Sequence, residues 1–218
     1  MKEKGDLKHI PARCACLFIG LAVMAFGVAF SIKAALGTSP ISSVPYVTAC
    51  ISGLSVGTTT IIMNCIFVLI QILILRKQYE LFQLLQIPAV IVFGLLIDVG
   101  EAAISKITYS SYTEQWLLCI TGIVLVALGV SIEVMAGLVT TAGEGIVLAI
   151  CKVCPVKFGN VKVAFDVTLV CISIVTGLTF LGHLEGVREG TVAAALCVGL
   201  VTKVFKKPAG RFEEKFLK

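Results

Sequence analysis

The chain has 218 residues, of which 58% are hydrophobic and only 14% charged, and its mean hydropathy is +1.02. Soluble domains carry roughly 25% charged residues, so a water-facing surface is excluded for most of the exterior and lipid must be the main solvent. The net charge of +5 resides largely in the tails, because ten of the eighteen Lys and Arg residues lie at the two ends. Lys2, Lys4, Lys8 and Arg13 precede the first apolar run, and Lys203, Lys206, Lys207, Arg211, Lys215 and Lys218 follow the last. An excess of basic residues at cytoplasmic ends accounts for this pattern; Asp6, Glu213 and Glu214 dilute it, and no nucleic-acid partner is expected.

In chain order, a basic tail over 1–12 leads into an apolar run over 14–36. That run is too long for a signal-peptide core and lacks an A-x-A cleavage site, so it is expected to stay. A short segment over 40–52 follows, then apolar runs over 57–76, 83–100 and 116–137. A second short segment over 142–152, runs over 159–181 and 190–205, and a basic tail over 207–218 complete the chain. Spanning takes about 20 apolar residues at about 1.5 Å each, which predicts six transmembrane helices. The two short segments reach only about 15–20 Å against a hydrocarbon core of about 30 Å, and are read as re-entrant or interfacial helices. The fold class is thus an all-α integral membrane protein.

An internal repeat organises these pieces. A shift of 102 residues aligns Gly20–Leu69 with Gly122–Cys171 without a gap. Gly20 meets Gly122, Gly27 meets Gly129, Thr38-Ser39 meets Thr140-Thr141, Gly57 meets Gly159 and Asn64 meets Asp166, while Gly94 matches Gly199 after a further shift of three. Gly27 and Gly129 are read as interruptions of the first helix in each half. Two homologous halves result, over 13–104 and 115–206. With three spans each, the halves are inverted, and fifteen Lys and Arg residues lie inside with both termini cytoplasmic. With four spans each, the halves are parallel, with fourteen inside and three outside. Charge alone does not separate the two arrangements; helix length favours the inverted one.

The segment Leu36-Gly37-Thr38-Ser39-Pro40-Ile41-Ser42-Ser43 is the strongest local signal. Ser39 suits an N-cap and Pro40 the first helical position. A half-helix N-terminus inside the membrane would present free N–H groups and a positive dipole end to a solute. Thr140, Thr141 and Glu144 occupy the corresponding turn of the second half. The competing reading is a pair of capped helices at the membrane surface. Ionisable residues within apolar runs point to function by default, which singles out Asp166 and Glu133, with Asn64 as the polar counterpart of Asp166 across the repeat. A simple interhelical hydrogen bond is the plainer alternative for that pair. The predicted solute-binding set is Thr38, Ser39, Ser42, Asn64, Thr140, Thr141, Glu144 and Asp166; Glu133 and Asp166 are candidates for ion coupling. Lys33 either snorkels to the interface or supplies a counter-charge to Glu144 or Asp166. Asp98, beside Glu101, is read as a solvated helix end.

Nine cysteines are scattered through apolar runs, and Cys151-x-x-Cys154 is the one suggestive spacing. With no second pair and no nearby His, neither a metal site nor a cofactor is expected. His9 lies in a tail and His183 in a loop, so no catalytic constellation is visible and no enzymatic activity is expected.

Leu36-Gly37-Thr38-Ser39-Pro40 after a Gly-containing helix, the short helix to Ile51, Gly57 with Asn64 in the following span, and Arg188-Glu189-Gly190-Thr191 before the last span together resemble the bacterial YczE/YitT group of membrane proteins, closer to its YczE side. The resemblance covers about 15–205 and implies a multi-pass plasma-membrane protein. The residues suggest a small secondary transporter or permease for a small polar, cationic or zwitterionic solute. The alternative is a non-transporting accessory, assembly or regulatory subunit. Expected partners are the lipid bilayer and a small solute or ion, with a homodimer or a partner membrane protein also compatible.

Overall fold

In lipid, a spanning backbone must satisfy its own N–H and C=O groups, and long runs of Leu, Ile, Val and Ala do so as helices. The computed structural model describes residues 10–216, with side chains as far as Phe205 apart from Lys203. The N-terminal tail up to residue 9 and the side chains of the C-terminal tail therefore lie outside the described residues. The described chain forms α1 (Ile10–Lys33), α2 (Pro40–Ser52), α3 (Val56–Leu75), α4 (Gln86–Ile104), α5 (Tyr112–Ala136), α6 (Ala142–Val153), α7 (Phe158–Phe180) and α8 (Glu189–Phe216), with 3₁₀ turns between α3 and α4. No strand occurs among the described residues.

Five helical stretches are long and apolar enough to cross a bilayer: Ile10–Lys33, Val56–Gln78, Leu81–Ile104, Tyr112–Ala136 and Phe158–Phe180. The sixth predicted span, 190–205, lies in α8, of which Glu189–Thr202 is a shorter apolar stretch among the described residues. Helices α2 and α6, with 13 and 12 residues, are the short ones.

Helices α1 and α5 form the central pair. They run antiparallel: Gly20 lies against Gly129 and Glu133, and Gly27 against Gly122 and Val126. A Cβ on Gly27 would stand 2.6 Å from the Val126 nitrogen, and one on Gly129 would stand 2.6 Å from the Met24 nitrogen. Neither glycine interrupts its helix. Both α1 and α5 are continuous, and the missing side chains let two backbones approach, which is how helices associate where lipid gives no hydrophobic drive.

Around this pair, α4 packs on α1 and α8 on α5, while α2 packs on α7 and α3 on α6. The last two pairings cross between the halves. Ser173 of α7 donates to Ser43 of α2 at 2.8 Å, and the corresponding positions Gln71 of α3 and Gly145 of α6 also touch. One pairing has no counterpart. Gly57 and Gly94 bring α3 and α4 into backbone contact, whereas none of the described residues lies within 4 Å of a Cβ built on Gly159 or Gly199. Asp98, read as a solvated helix end, instead caps α3: it accepts from the Gly57 N–H and the Ser55 hydroxyl, each at 2.7 Å.

After α1 the chain reverses through Ala35 at φ 54° and Gly37 at φ 90°. The Thr38 N–H donates to Gly186 O at 2.9 Å, and the Gly190 N–H to Leu36 O at 2.8 Å, so this turn is strapped to the loop before α8. A Cβ on Gly37 would meet the Arg188 nitrogen at 2.5 Å, and glycine is required there twice over, for its φ and for this approach. Arg188 donates to Ala35 O at 3.0 Å, and at the equivalent end of α5 Arg13 donates to Ala136 O at 3.1 Å.

Candidate functional site

The start of α2 is built as its sequence suggests, with Pro40 in the first turn and extended Ser39 before it. The Ser39 hydroxyl makes no cap bond to the backbone; it donates to Ser42 Oγ at 3.0 Å. In the second half, extended Thr141 precedes α6, with Glu144 in the first turn. Both helix starts border one cavity of about 430 Å³ between the halves.

Of the predicted site residues, Ser39, Ser42, Asn64, Glu133, Thr140, Thr141, Glu144 and Asp166 all line this cavity. Thr38 does not. It is 1% exposed and serves the strap to Gly186. Lys33 is also elsewhere, with Nζ donating to Ser105 O at 2.8 Å at the far end of α4. The base that sequence reasoning missed is Lys162, whose Nζ lies 2.6 Å from Asp166 Oδ1 and 5.8 Å from the Phe165 ring centroid. The signal was present in the i,i+4 spacing, which places Lys162 and Asp166 on one face of α7.

The polar groups are set into an apolar wall that includes Leu21, Met24, Val28, Val90, Phe93 and Val126. Glu133 is 4% exposed and sits beside Glu144. Asn64 is buried, with Nδ2 donating to Thr60 O at 2.8 Å. Phe67 and Phe165 stack edge to face at 5.5 Å just behind the Asp166 position. Below the cavity, buried Gln71 donates to Ala142 O at 2.9 Å and contacts Gln86 at 3.3 Å. Gln86 and Thr140 border both this cavity and a smaller one of about 70 Å³ reaching Lys152. Three carboxyls, one ammonium and two helix N-termini therefore share one partly open, mostly apolar cavity. Such a place can hold a small ligand carrying opposite charges.

No group of three His, Cys, Asp or Glu residues suited to a metal ion occurs among the described residues. Cys151 lies in the last turn of α6 and Cys154 follows it, both as free thiols.

These features define an all-helical, multi-pass membrane protein with a mostly apolar cavity that holds a few charged groups. The chain belongs to the family of unknown function DUF6198, whose model matches residues 11–207. It is 33% identical over 122 residues to the uncharacterized membrane protein YczE of Bacillus subtilis (strain 168), which bears out the YczE-like resemblance. That alignment covers 56% of this chain and 54% of YczE, so the chain spans about half the length of that relative. Over 189 residues it is 24% identical to the uncharacterized protein YyaS of the same organism, covering 86% of this chain and 89% of YyaS. No solved structure matches the chain.

Proposed function

We propose that this protein is a small secondary transporter of the plasma membrane that holds a small polar, cationic or zwitterionic solute in the central cavity, and that it is not an enzyme. The observation that carries the reading is the convergence of the α2 and α6 N-termini on a cavity that also holds Glu133, Glu144, Asp166 and Lys162. Half-helix ends meeting between two repeats are the usual build of a transporter binding site. A zwitterion suits this arrangement best. Its carboxylate fits Lys162 and the helix ends, and its ammonium group fits Asp166 and Glu144. Glu133, deepest among the acids, is assigned to ion coupling together with Asp166.

In this reading α2 and α6 are re-entrant, α8 completes six spans, and the halves are inverted repeats. The antiparallel α1–α5 pair supports the inversion, because Gly20 against Gly129 becomes Gly122 against Gly27 when the halves are exchanged. Both termini are then cytoplasmic. A topology reporter fused after Gln78 is expected to give a cytoplasmic signal, and one fused after Ser110 an extracellular signal. The opposite pair of signals, or two matching ones, removes the proposed arrangement.

Solute binding is tested by thermal shift on the purified protein with a panel of amino acids, betaines, small amines and monocarboxylates. Preferential binding to the folded state raises the melting temperature, and at a hundredfold excess over Kd the stabilisation is about 2.7 kcal/mol. A zwitterion is expected to give the largest shift. A flat response across the panel, together with a phenotype that survives Asp166→Asn and Glu144→Gln but not loss of the C-terminal tail, favours the accessory-subunit alternative.

A further inference from the structure

The repeat-related helix pairs α3–α4 and α7–α8 are in different states. In the first, Gly57 and Gly94 touch through their backbones, and Asp98 ties the contact by accepting from Gly57 and Ser55. In the second, Gly159 and Gly199 occupy the corresponding places with open space around them. Helices α7 and α8 both border the cavity, through Phe158, Lys162, Gly199 and Thr202 among others, yet among the described residues α7 packs mainly on α2 and α8 mainly on α5. Elsewhere the halves match closely: α1 meets α5 through exchangeable glycines, and the Ser43–Ser173 contact has its counterpart at Gly145–Gln71.

We propose that the α7–α8 seam at Gly159 and Gly199 is a gate that closes on the pattern of the Gly57–Gly94 contact as that contact opens, so that the cavity mouth passes from one membrane face to the other. The gate rests on the transporter reading above and supplies its moving part. Because α1 and α5 meet by backbone contact across the middle of the molecule, they are the fixed pivot, and each half can adopt the conformation its partner now has. The open seam lies toward the end that carries Lys152 and Lys157, and the closed seam lies near the start of α3 at the other end. Glycine at all four places suits this role, since a side chain at any of them would prevent one of the two closed contacts.

The test uses the full chain in lipid nanodiscs, with spin labels placed on noncanonical residues so that the native cysteines remain. One pair replaces Val156 and Leu200 across the open seam, and the other replaces Leu54 and Leu95 across the closed one; all four are exposed. Dipolar spectroscopy is expected to find two populations at each pair, anticorrelated between pairs as pH is varied or as solutes from the panel are added. In the minor state the Val156–Leu200 distance falls to that of packed helices, whose axes lie about 8–10 Å apart. Gly57→Leu, whose Cβ would sit 2.1 Å from Gly94 O, is expected to shift both pairs toward that state. Gly199→Leu fills open space, so it should keep the melting temperature of the wild type and hold the Val156–Leu200 distance long. It carries the test by itself if Gly57→Leu does not fold. A single fixed distance at each pair under every condition overturns the gate, as does a change of the same sign at both. Solute binding with immobile seams defeats the gate and spares the transporter; anticorrelated seams with no stabilising solute do the reverse.

Discussion

Gly27→Leu is expected to prevent α1 and α5 from forming their central pair, and to leave little monodisperse protein after extraction in mild detergent. The new Cβ would lie 2.6 Å from the Val126 nitrogen and 2.9 Å from Gly122 O. Overpacking usually costs about 1–3 kcal/mol when side chains can shift. Here the obstructing atoms are backbone, so the helices themselves must part and lose the contact along its length. Lipid offers no compensating hydrophobic gain, because the tails are as apolar as the residues they would replace. Gly159→Leu is the control, since nothing lies within 4 Å of its Cβ and its effect should stay within about 0.5 kcal/mol. Equal melting temperatures for Gly27→Leu and the wild type would mean that α1 and α5 do not pack through these glycines.

Asp166→Asn is expected to weaken binding of the stabilising zwitterion by at least tenfold, or about 1.4 kcal/mol. The exchange keeps the shape of the side chain and removes the charge that the ligand's ammonium group would use. It also frees Lys162 from its 2.6 Å partner, so a monocarboxylate should lose less affinity than the zwitterion, or gain. Lys162→Met is expected to give the opposite ranking, with carboxylates losing most. The two variants therefore separate the charges of the ligand in one titration series. A binding isotherm unchanged by Asp166→Asn would remove this residue from the site, whatever its structural part.

The residues that made the fold legible are those that recur. Pro40 after Ser39, the paired short segments, and Asn64 with Asp166 all border the cavity, whereas Thr38 is buried in the turn before them. Lys162 was missed because its charge was counted only toward the cytoplasmic side, although it falls within the predicted run 159–181. The helix α7 begins at Phe158, so Lys162 already lies a turn inside it and faces Asp166. Gly27 and Gly129 were misread for a related reason. Glycine weakens a helix in water, but in hydrocarbon the backbone must bond to itself, and the absent side chain then sets approach distance instead of continuity. The partner of Asp98 was hidden because the start of α3 and the last turns of α4, 41 residues apart at this contact, carry no local pattern. The unequal seams were out of reach for the same reason: Gly57/Gly159 and Gly94/Gly199 are alike in sequence and differ only in what stands next to them.

The glycine contact between α1 and α5 also dictates an order of assembly during synthesis. By the time Tyr112 leaves the ribosome, α1 through α4 have all been made, yet Gly20 and Gly27 still face lipid with nothing to grip. Insertion of each span and closure of the bundle are therefore separate events, and the second waits for α5. Until then the nascent half has its own α1–α4 and α3–α4 contacts but leaves the glycine face of α1 without its partner. Two such halves on neighbouring ribosomes, inserted in opposite senses, would present to one another the same surface that the finished chain joins within itself.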